Sequence, residues 1–252
     1  MKQAPNLDDI LAAAKRILPY AHKTPVLTCA AINEMTNSNI YFKCENFQKV
    51  GAFKFRGACN TIFSLSDEEA KRGVGTHSSG NHAAAVALAA KMRGIKAHVV
   101  MPKNAPDIKK KAVMGYGAEI TFCEPTLEER ETTLDSVIEK TGAVEIHPFD
   151  DPLVIAGQGT AALELMNEID DLDAILAPLL RGAYGRSEGP SQTQAVADVV
   201  HEFLQFLVPP LGAIPQVVVT FLQSFQYPSP VVHRLVETNH GQSRLSFRCP
   251  YA

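Results

Sequence analysis

The sequence predicts an α/β fold with a largely parallel sheet. Between residues 5 and 178, short apolar segments alternate with stretches of helical length, and the loops between them are short. Two of the apolar segments are stopped by proline, at Pro102 and Pro178. The chain has 252 residues, 46% hydrophobic and 20% charged, which excludes wholesale disorder. A net charge of −3 offers no electrostatic footprint for nucleic acid or an anionic membrane, and neither partner is expected. No apolar run approaches the ~20 residues of a membrane span. Asp8, Asp9, Lys15 and Arg16 interrupt the region where a signal-peptide core would lie. Five widely spaced cysteines without a CxxC pair read as reduced thiols, which predicts a cytoplasmic protein with no metal site.

The elements follow in order. Asn6 is a natural N-cap for a helix whose apolar positions are Leu7, Ile10, Leu11, Ala14, Ile17 and Leu18. Ile40–Cys44 alternates like a strand. The loop QKVGAFKFRG comes next, and then a helix from Ala58 to Leu65. Gly73–His77 reads as a strand, Ser78–Asn81 as a tight turn and His82–Arg93 as an alanine-rich helix. Strands at Ala97–Met101, Ala118–Phe122 and Ala143–Ile146 alternate with helices at Asp107–Met114 and Thr126–Lys140. Gln158–Ile169 continues as helix and Asp173–Ala177 as a buried strand.

The character changes after Pro178. Residues 179–252 contain no lysine, against fourteen in residues 1–178, and seven of the sixteen prolines. Apolar runs cut by proline show no βα rhythm there, so the segment reads as atypical and foreign to the preceding fold, with an irregular subdomain as the rival reading.

Three segments carry candidate chemistry. Lys54 sits beside Phe53 and Phe55 in a loop that opens a helix. Apolar neighbours and helix dipoles lower an ammonium pKa, although a loop lysine is commonly just a solvated charge. Ser78-Ser79-Gly80-Asn81-His82 joins a strand to a helix, where free N–H groups can hold a carboxylate or phosphate; simple capping accounts for the same residues. Gly157-Gln158-Gly159 opens the next predicted helix, a weak signal that close packing explains equally well. His147 reads as a turn or packing histidine rather than a general base. The run Lys109-Lys110-Lys111 reads as a solvated helix face.

With their order and spacing, these segments resemble the fold-type II pyridoxal-phosphate enzymes of the serine/threonine dehydratase and serine racemase branch, whose fold is tryptophan synthase beta-like. The matching strings are TPVL at 24–27, KCENFQKVGAFKFRGA at 43–58, THSSGNHAAA at 76–85, VVMPKNAPDIKKKAVMGYGAEI at 99–120, EIHPFDDPLVIAGQGTAALE at 145–164 and DAILAP at 173–178. The resemblance implies pyridoxal 5′-phosphate as cofactor and serine or threonine as substrate. It also implies a homo-oligomer and a small parallel-sheet domain inserted into a larger α/β domain, here incomplete. Residues 1–67 and 147–178 would form the large domain, 68–146 the small mobile one, and 179–252 the atypical segment. Lys54 matches the lysine that bonds the cofactor aldehyde and acts as base, Phe53 the neighbour packed on the pyridine ring, and Asn81 the partner of the cofactor's 3′-oxygen. Ser78, Ser79, Gly80, Asn81 and His82 match the loop that grips the substrate carboxylate. Ser79 matches the serine that handles the proton opposite the lysine in racemases.

The implied activity is a threonine/serine ammonia-lyase giving a 2-oxo acid and ammonia, and the HPFDD string at 147–151 leans toward it. A serine racemase on the same scaffold and a non-catalytic truncated relative are the alternatives. The family follows its DAILAP-like strand with a glycine run that cradles the phosphate. This sequence has Leu179-Leu180-Arg181-Gly182-Ala183-Tyr184-Gly185 instead, which predicts impaired cofactor retention. No carboxylates are assigned to a metal.

Overall fold

The computed structural model describes residues 4–176 and 217–221, which form two sheets with helices packed around them. The chain begins with α1 (Leu7–Ile17). Asn6 and Asp9 cap it reciprocally: Asn6 Oδ1 accepts from the Asp9 N–H at 3.1 Å and Asp9 Oδ2 from the Asn6 N–H at 2.9 Å. Ile10, Ala13 and Ile17 are its buried face. Next come β1 (Val26–Thr28), α2 (Ala30–Thr36) and β2 (Asn39–Lys43). Two 3-10 turns at Glu45–Phe47 and Lys49–Gly51 lead into α3 (Lys54–Ser64). That helix starts four residues before the predicted Ala58, because the glycines and aromatics that suggested a loop are compatible with a buried first turn.

The following residues build the second sheet. After α4 (Asp67–Arg72) the chain runs through β3 (Val74–His77), α5 (Asn81–Arg93), β4 (Ala97–Pro102), α6 (Asp107–Gly115), β5 (Glu119–Cys123), α7 (Leu127–Thr141) and β6 (Val144–Glu145). Their strands lie in the order β5-β4-β3-β6 and every pair is parallel. A parallel sheet flanked by helices buries both faces, and all residues of β3 and β4 are buried. Helix α5 is apolar on nearly every side, with Ala83, Ala85, Val86, Ala87, Ala89 and Ala90 buried.

Helix α8 (Pro152–Met166) and β7 (Ala174–Leu176) return the chain to the first sheet. The helix starts six residues before the predicted Gln158. Asp151 Oδ1 accepts from the Leu153 N–H at 2.8 Å and the Val154 N–H at 3.2 Å, and Pro152 occupies the first turn. Gly157 and Gly159 are therefore inside the helix, not at its start. Gly157 faces α3 so closely that a Cβ would lie 2.6 Å from the Arg56 carbonyl oxygen.

The first sheet has the order β1-β2-β8-β7, where β8 is Val217–Phe221. Strand β8 is parallel to both neighbours, with Asn39 opposite Val217 and Ala174 opposite Val218. The segment after 178 thus supplies a central strand, although no regular element was expected there. The run Val-Val-Val-Thr-Phe explains it, since β-branched and aromatic residues favour a pleated surface. The substituted stretch Leu179–Gly185, including Arg181 and Gly182, lies outside the described residues.

Candidate active site

Lys54 opens α3, whose N-terminus has no side-chain cap. Its Nζ donates to the Pro148 carbonyl at 3.0 Å and lies 5.3 Å from the centre of the Phe53 ring. Burial pulls the ammonium pKa down to about 8, so about a tenth is free amine at pH 7. The loop before it is strained. Val50 adopts φ 58° and Gly51 φ 69°, a left-handed pair that costs a β-branched residue ~1–3 kcal/mol. Gln48 pins this loop: its Oε1 accepts from the His22 N–H at 3.0 Å and its Nε2 donates to the His22 carbonyl at 2.8 Å.

The second wall is the turn from β3 into α5. The Ser78 N–H donates to the Val100 carbonyl at 3.0 Å, and Ser78 Oγ accepts from the Gly80 N–H at 3.2 Å. Ser79 and Asn81 stand half-buried beside the buried Gly80. Helix α5 also lacks a side-chain cap, and its first-turn N–H groups have no partner within the helix. A cation lies close by, because a Cβ on Gly80 would fall 2.8 Å from Lys109 Nζ. The ring of His82 turns inward, Nε2 lying 3.3 Å from the Ile146 carbonyl oxygen, so His82 contributes its backbone N–H to the turn.

The two walls meet on one segment. Ile146 holds His82, and two residues later Pro148 holds Lys54. Burial and the charge of Lys54 push the His82 pKa down to about 3. Burial, with His147 and Arg130 nearby, takes His77 down to about 4. Both rings are neutral at physiological pH. Among the described residues, His82 Nδ1 and His77 Nε2 are buried without a hydrogen-bond partner.

Sequence reasoning missed the ion cluster behind Lys54. Arg56 is fully buried and grips two carboxylates, Glu45 at 2.8 and 2.9 Å and Glu164 at 2.7 and 2.9 Å. The fully buried Lys43 adds a 2.7 Å bond to Glu164 and another to the Thr24 carbonyl. Burial works against both charges. For Arg56 the bonds from Glu45 and Glu164 outweigh it and hold the guanidinium above its ordinary pKa. For Glu164 the bonds from Arg56 and Lys43 hold the carboxyl below its own. The signal was the Lys43-x-Glu45 alternation before a basic residue in α3, but Glu164 comes from a distant helix.

A desolvated amine tied through residues 146–148 to a helix with an open N-terminus suits an aldehyde-bearing cofactor and a carboxylate substrate: the amine can bond a carbonyl and the open N–H groups can receive a carboxylate. The region expected to receive the cofactor's phosphate lies outside the described residues. Among the described residues no cluster of His, Cys, Asp and Glu could hold a metal.

The two sheets with their flanking helices define an α/β fold class. The pattern of the pyridoxal-phosphate dependent enzyme family matches residues 17–185, and the chain belongs to that family, of the fold-type II kind, whose cofactor is pyridoxal 5′-phosphate. It is 56% identical over 173 residues to a serine racemase of Dictyostelium discoideum, covering 69% of this chain and 53% of that protein. It is 51% identical over 175 residues to a beta-hydroxyaspartate dehydratase of Paracoccus denitrificans (strain Pd 1222), covering 69% and 56%. A solved T.th. threonine deaminase superposes with a TM-score of 0.70 at 38% identity, covering 86% of this chain and 65% of that one. The chain spans about half the length of the curated relatives it matches.

Proposed function

We propose that this chain carries the amine and carboxylate-gripping half of a pyridoxal-phosphate-dependent ammonia-lyase acting on serine or threonine. One observation carries the reading: Lys54 and His82, from the two walls, are both fastened to residues 146–148. Both contacts converge on one short segment, which supports reading the low-pKa amine together with the open end of α5.

Lys54 would bond the cofactor, with Phe53 against its ring and Asn81 on its 3′-oxygen. When bound, pyridoxal phosphate supplies an electron sink that makes the α-hydrogen of an amino acid acidic. The turn Ser78–His82 would hold the substrate carboxylate through N–H groups, leaving the α-hydrogen directed at Lys54. Released when the substrate's own amine takes its place, the Lys54 amine would accept that proton; in the unloaded chain burial already lowers its pKa to about 8. Loss of the β-hydroxyl with a proton, then hydrolysis, turns serine or threonine into a 2-oxo acid and ammonia. Residues 68–146 would move as a small unit and close over the site, excluding water.

A second reading is favoured by the half-buried Ser79 hydroxyl and by the Dictyostelium discoideum relative's name. Proton return from Ser79 would invert the α-carbon, giving a serine racemase.

Absorbance of the purified chain with added pyridoxal phosphate, beside Lys54→Ala, tests the first step. A Lys54-dependent visible band is expected; identical spectra for the two proteins overturn the reading. Chiral analysis of serine and assays for 2-oxo acid and ammonia then separate racemase from lyase.

A further inference from the structure

The turn that follows β6 supplies the carbonyls of Ile146 and Pro148 to the function proposed above, and its remaining residues set where the Pro148 carbonyl stands. Ile146 at its start is fixed by two buried side chains: its carbonyl accepts from Thr76 Oγ1 at 2.7 Å and lies 3.3 Å from His82 Nε2. The next residue folds the turn. His147 Nδ1 accepts from the Phe149 N–H at 3.2 Å and the Asp150 N–H at 2.8 Å, so one ring atom takes two backbone donors. Its lone pair is committed to the backbone, and the proton of the neutral ring belongs on Nε2. The ring is wedged edge-on against Phe149, with centres 4.5 Å apart, and against His77 at 5.9 Å. Between the folded residues lies Pro148, whose ring restricts φ and whose carbonyl points at Lys54 Nζ.

We propose that His147 is a positioning residue for Lys54: its Nδ1 folds the 147–150 turn and thereby aims the Pro148 carbonyl at the Lys54 amine. The inference rests on the reading of Lys54 as the reacting amine. The physical need is plain. A lysine side chain has several rotatable bonds, and a desolvated ammonium needs an acceptor. Among the described residues, the hydrogen-bond acceptor for Lys54 is the Pro148 carbonyl, 94 residues along the chain. That bond selects one rotamer, and the imidazole sets where the carbonyl stands. The amine is kept on the Pro148 carbonyl, close enough for its charge to act on His82, while it has no covalent bond to a substrate or cofactor carbon.

Two substitutions separate the ring from its acceptor atom. His147→Phe keeps an aromatic ring beside His77 and Phe149 but cannot accept. His147→Asn loses the ring but can accept from the N–H groups two and three residues ahead, as in an Asx turn. The readout is the titration of Lys54 itself in the full chain, by competitive acetylation across pH with peptide mass spectrometry, using the exposed Lys71 as internal reference. Among the described residues, groups that carry charge or titrate around this corner include Asp150 in the turn itself, Asp151 at the start of α8, His77 from β3, His82 from α5 and Arg130 from α7. His77 and His82 remain neutral throughout the range in which Lys54 titrates.

The expected result is a low Lys54 midpoint in the wild type, the same midpoint in His147→Asn, and a midpoint displaced by about half a pH unit or more in His147→Phe. Coincident wild-type and His147→Phe curves overturn the proposal, as does a His147→Asn curve displaced as far as that of His147→Phe. A wild-type midpoint at the ordinary lysine value would overturn the reading of Lys54 as a desolvated reacting amine, and the proposal with it. If His147→Phe does not fold, nitrogen NMR of the wild-type ring decides: an Nε2-protonated tautomer is expected, and a protonated Nδ1 overturns the proposal.

Discussion

Two desolvated cations at the start of α3 are treated in opposite ways by their surroundings. Lys54 is desolvated and, among the described residues, has no carboxylate on it, so the fold disfavours its charge. Its pKa is about 8 folded against the ordinary 10.5; this penalty is fully present below pH 8 and is relieved as pH rises from 8 toward 10.5. Lys54→Met should therefore raise the unfolding free energy at pH 7 by ~1–3 kcal/mol while abolishing the cofactor band. The gain should shrink by pH 10. Urea titrations at both pH values check this, and an unaltered midpoint at pH 7 counts against it. Arg56 is fully paired, so Arg56→Met should do the reverse. It strands Glu45 and part of Glu164, a loss of ~3–5 kcal/mol by the same titration. Wild-type stability in that variant would mean the cluster is not formed. Lys54 was legible because its neighbours Gly51–Gly57 lie in one sequence window. The cluster was not, because its acids sit at positions 45 and 164, and no local pattern brings these together.

Between elements, the crossing of α3 and α8 sets where the helix carrying Lys54 lies. Gly57 and Gly157 face each other there: a Cβ on Gly57 would meet the Val154 carbonyl oxygen at 2.6 Å, and one on Gly157 would meet Gly57 Cα at 2.7 Å. Backbone is the obstacle on both sides, so no side chain can swing away. Gly157→Ala should force the helices apart and cost ~1–3 kcal/mol despite alanine's better helix propensity. It should also weaken the Lys54-dependent band, since Lys54 lies one turn from Gly57. Thermal melts and the cofactor spectrum measure the two effects, and a stabilised variant would contradict this account. The glycines were visible in the sequence, but their meaning depended on where α8 begins. Asp151-Pro152 is the start signal, an N-cap followed by proline in the first turn, and it shifts both glycines from a helix start to a helix interface. The strands of the second sheet were easier to read. Their apolar runs are bounded by Gly, Pro or capping residues, and each observed strand lies within a residue or so of its expected ends. Strand β8 could not be placed from pattern, because its partners β2 and β7 are supplied from either end of the preceding fold.

Over the whole molecule, the two buried histidines couple the site to acid stability. His77 and His82 have folded pKa values of about 4 and about 3, against an ordinary 6.5, because burial opposes their charge. The unfolded chain takes up these protons first. Their contribution is thus fully present above pH 6.5 and is lost as pH falls through the window from 6.5 to about 3–4. Between pH 6 and 5 the two together approach a slope of ~2–3 kcal/mol per pH unit. Glu164 adds to the loss only further down, because its lowered carboxyl pKa keeps its bonds to Arg56 and Lys43 until more acid conditions. Lys54 adds nothing in this range, being charged in both states. The urea midpoint should therefore fall steadily from pH 7 to pH 5, and His77→Phe should remove roughly half of that slope without moving the Lys54 titration. A midpoint flat across this range would show that water reaches these rings, and that the Ser78–His82 turn is not seated on a dry floor. The same dryness lowers the Lys54 pKa, so acid sensitivity and amine reactivity should be lost together in any variant that opens the turn at Ile146–Pro148.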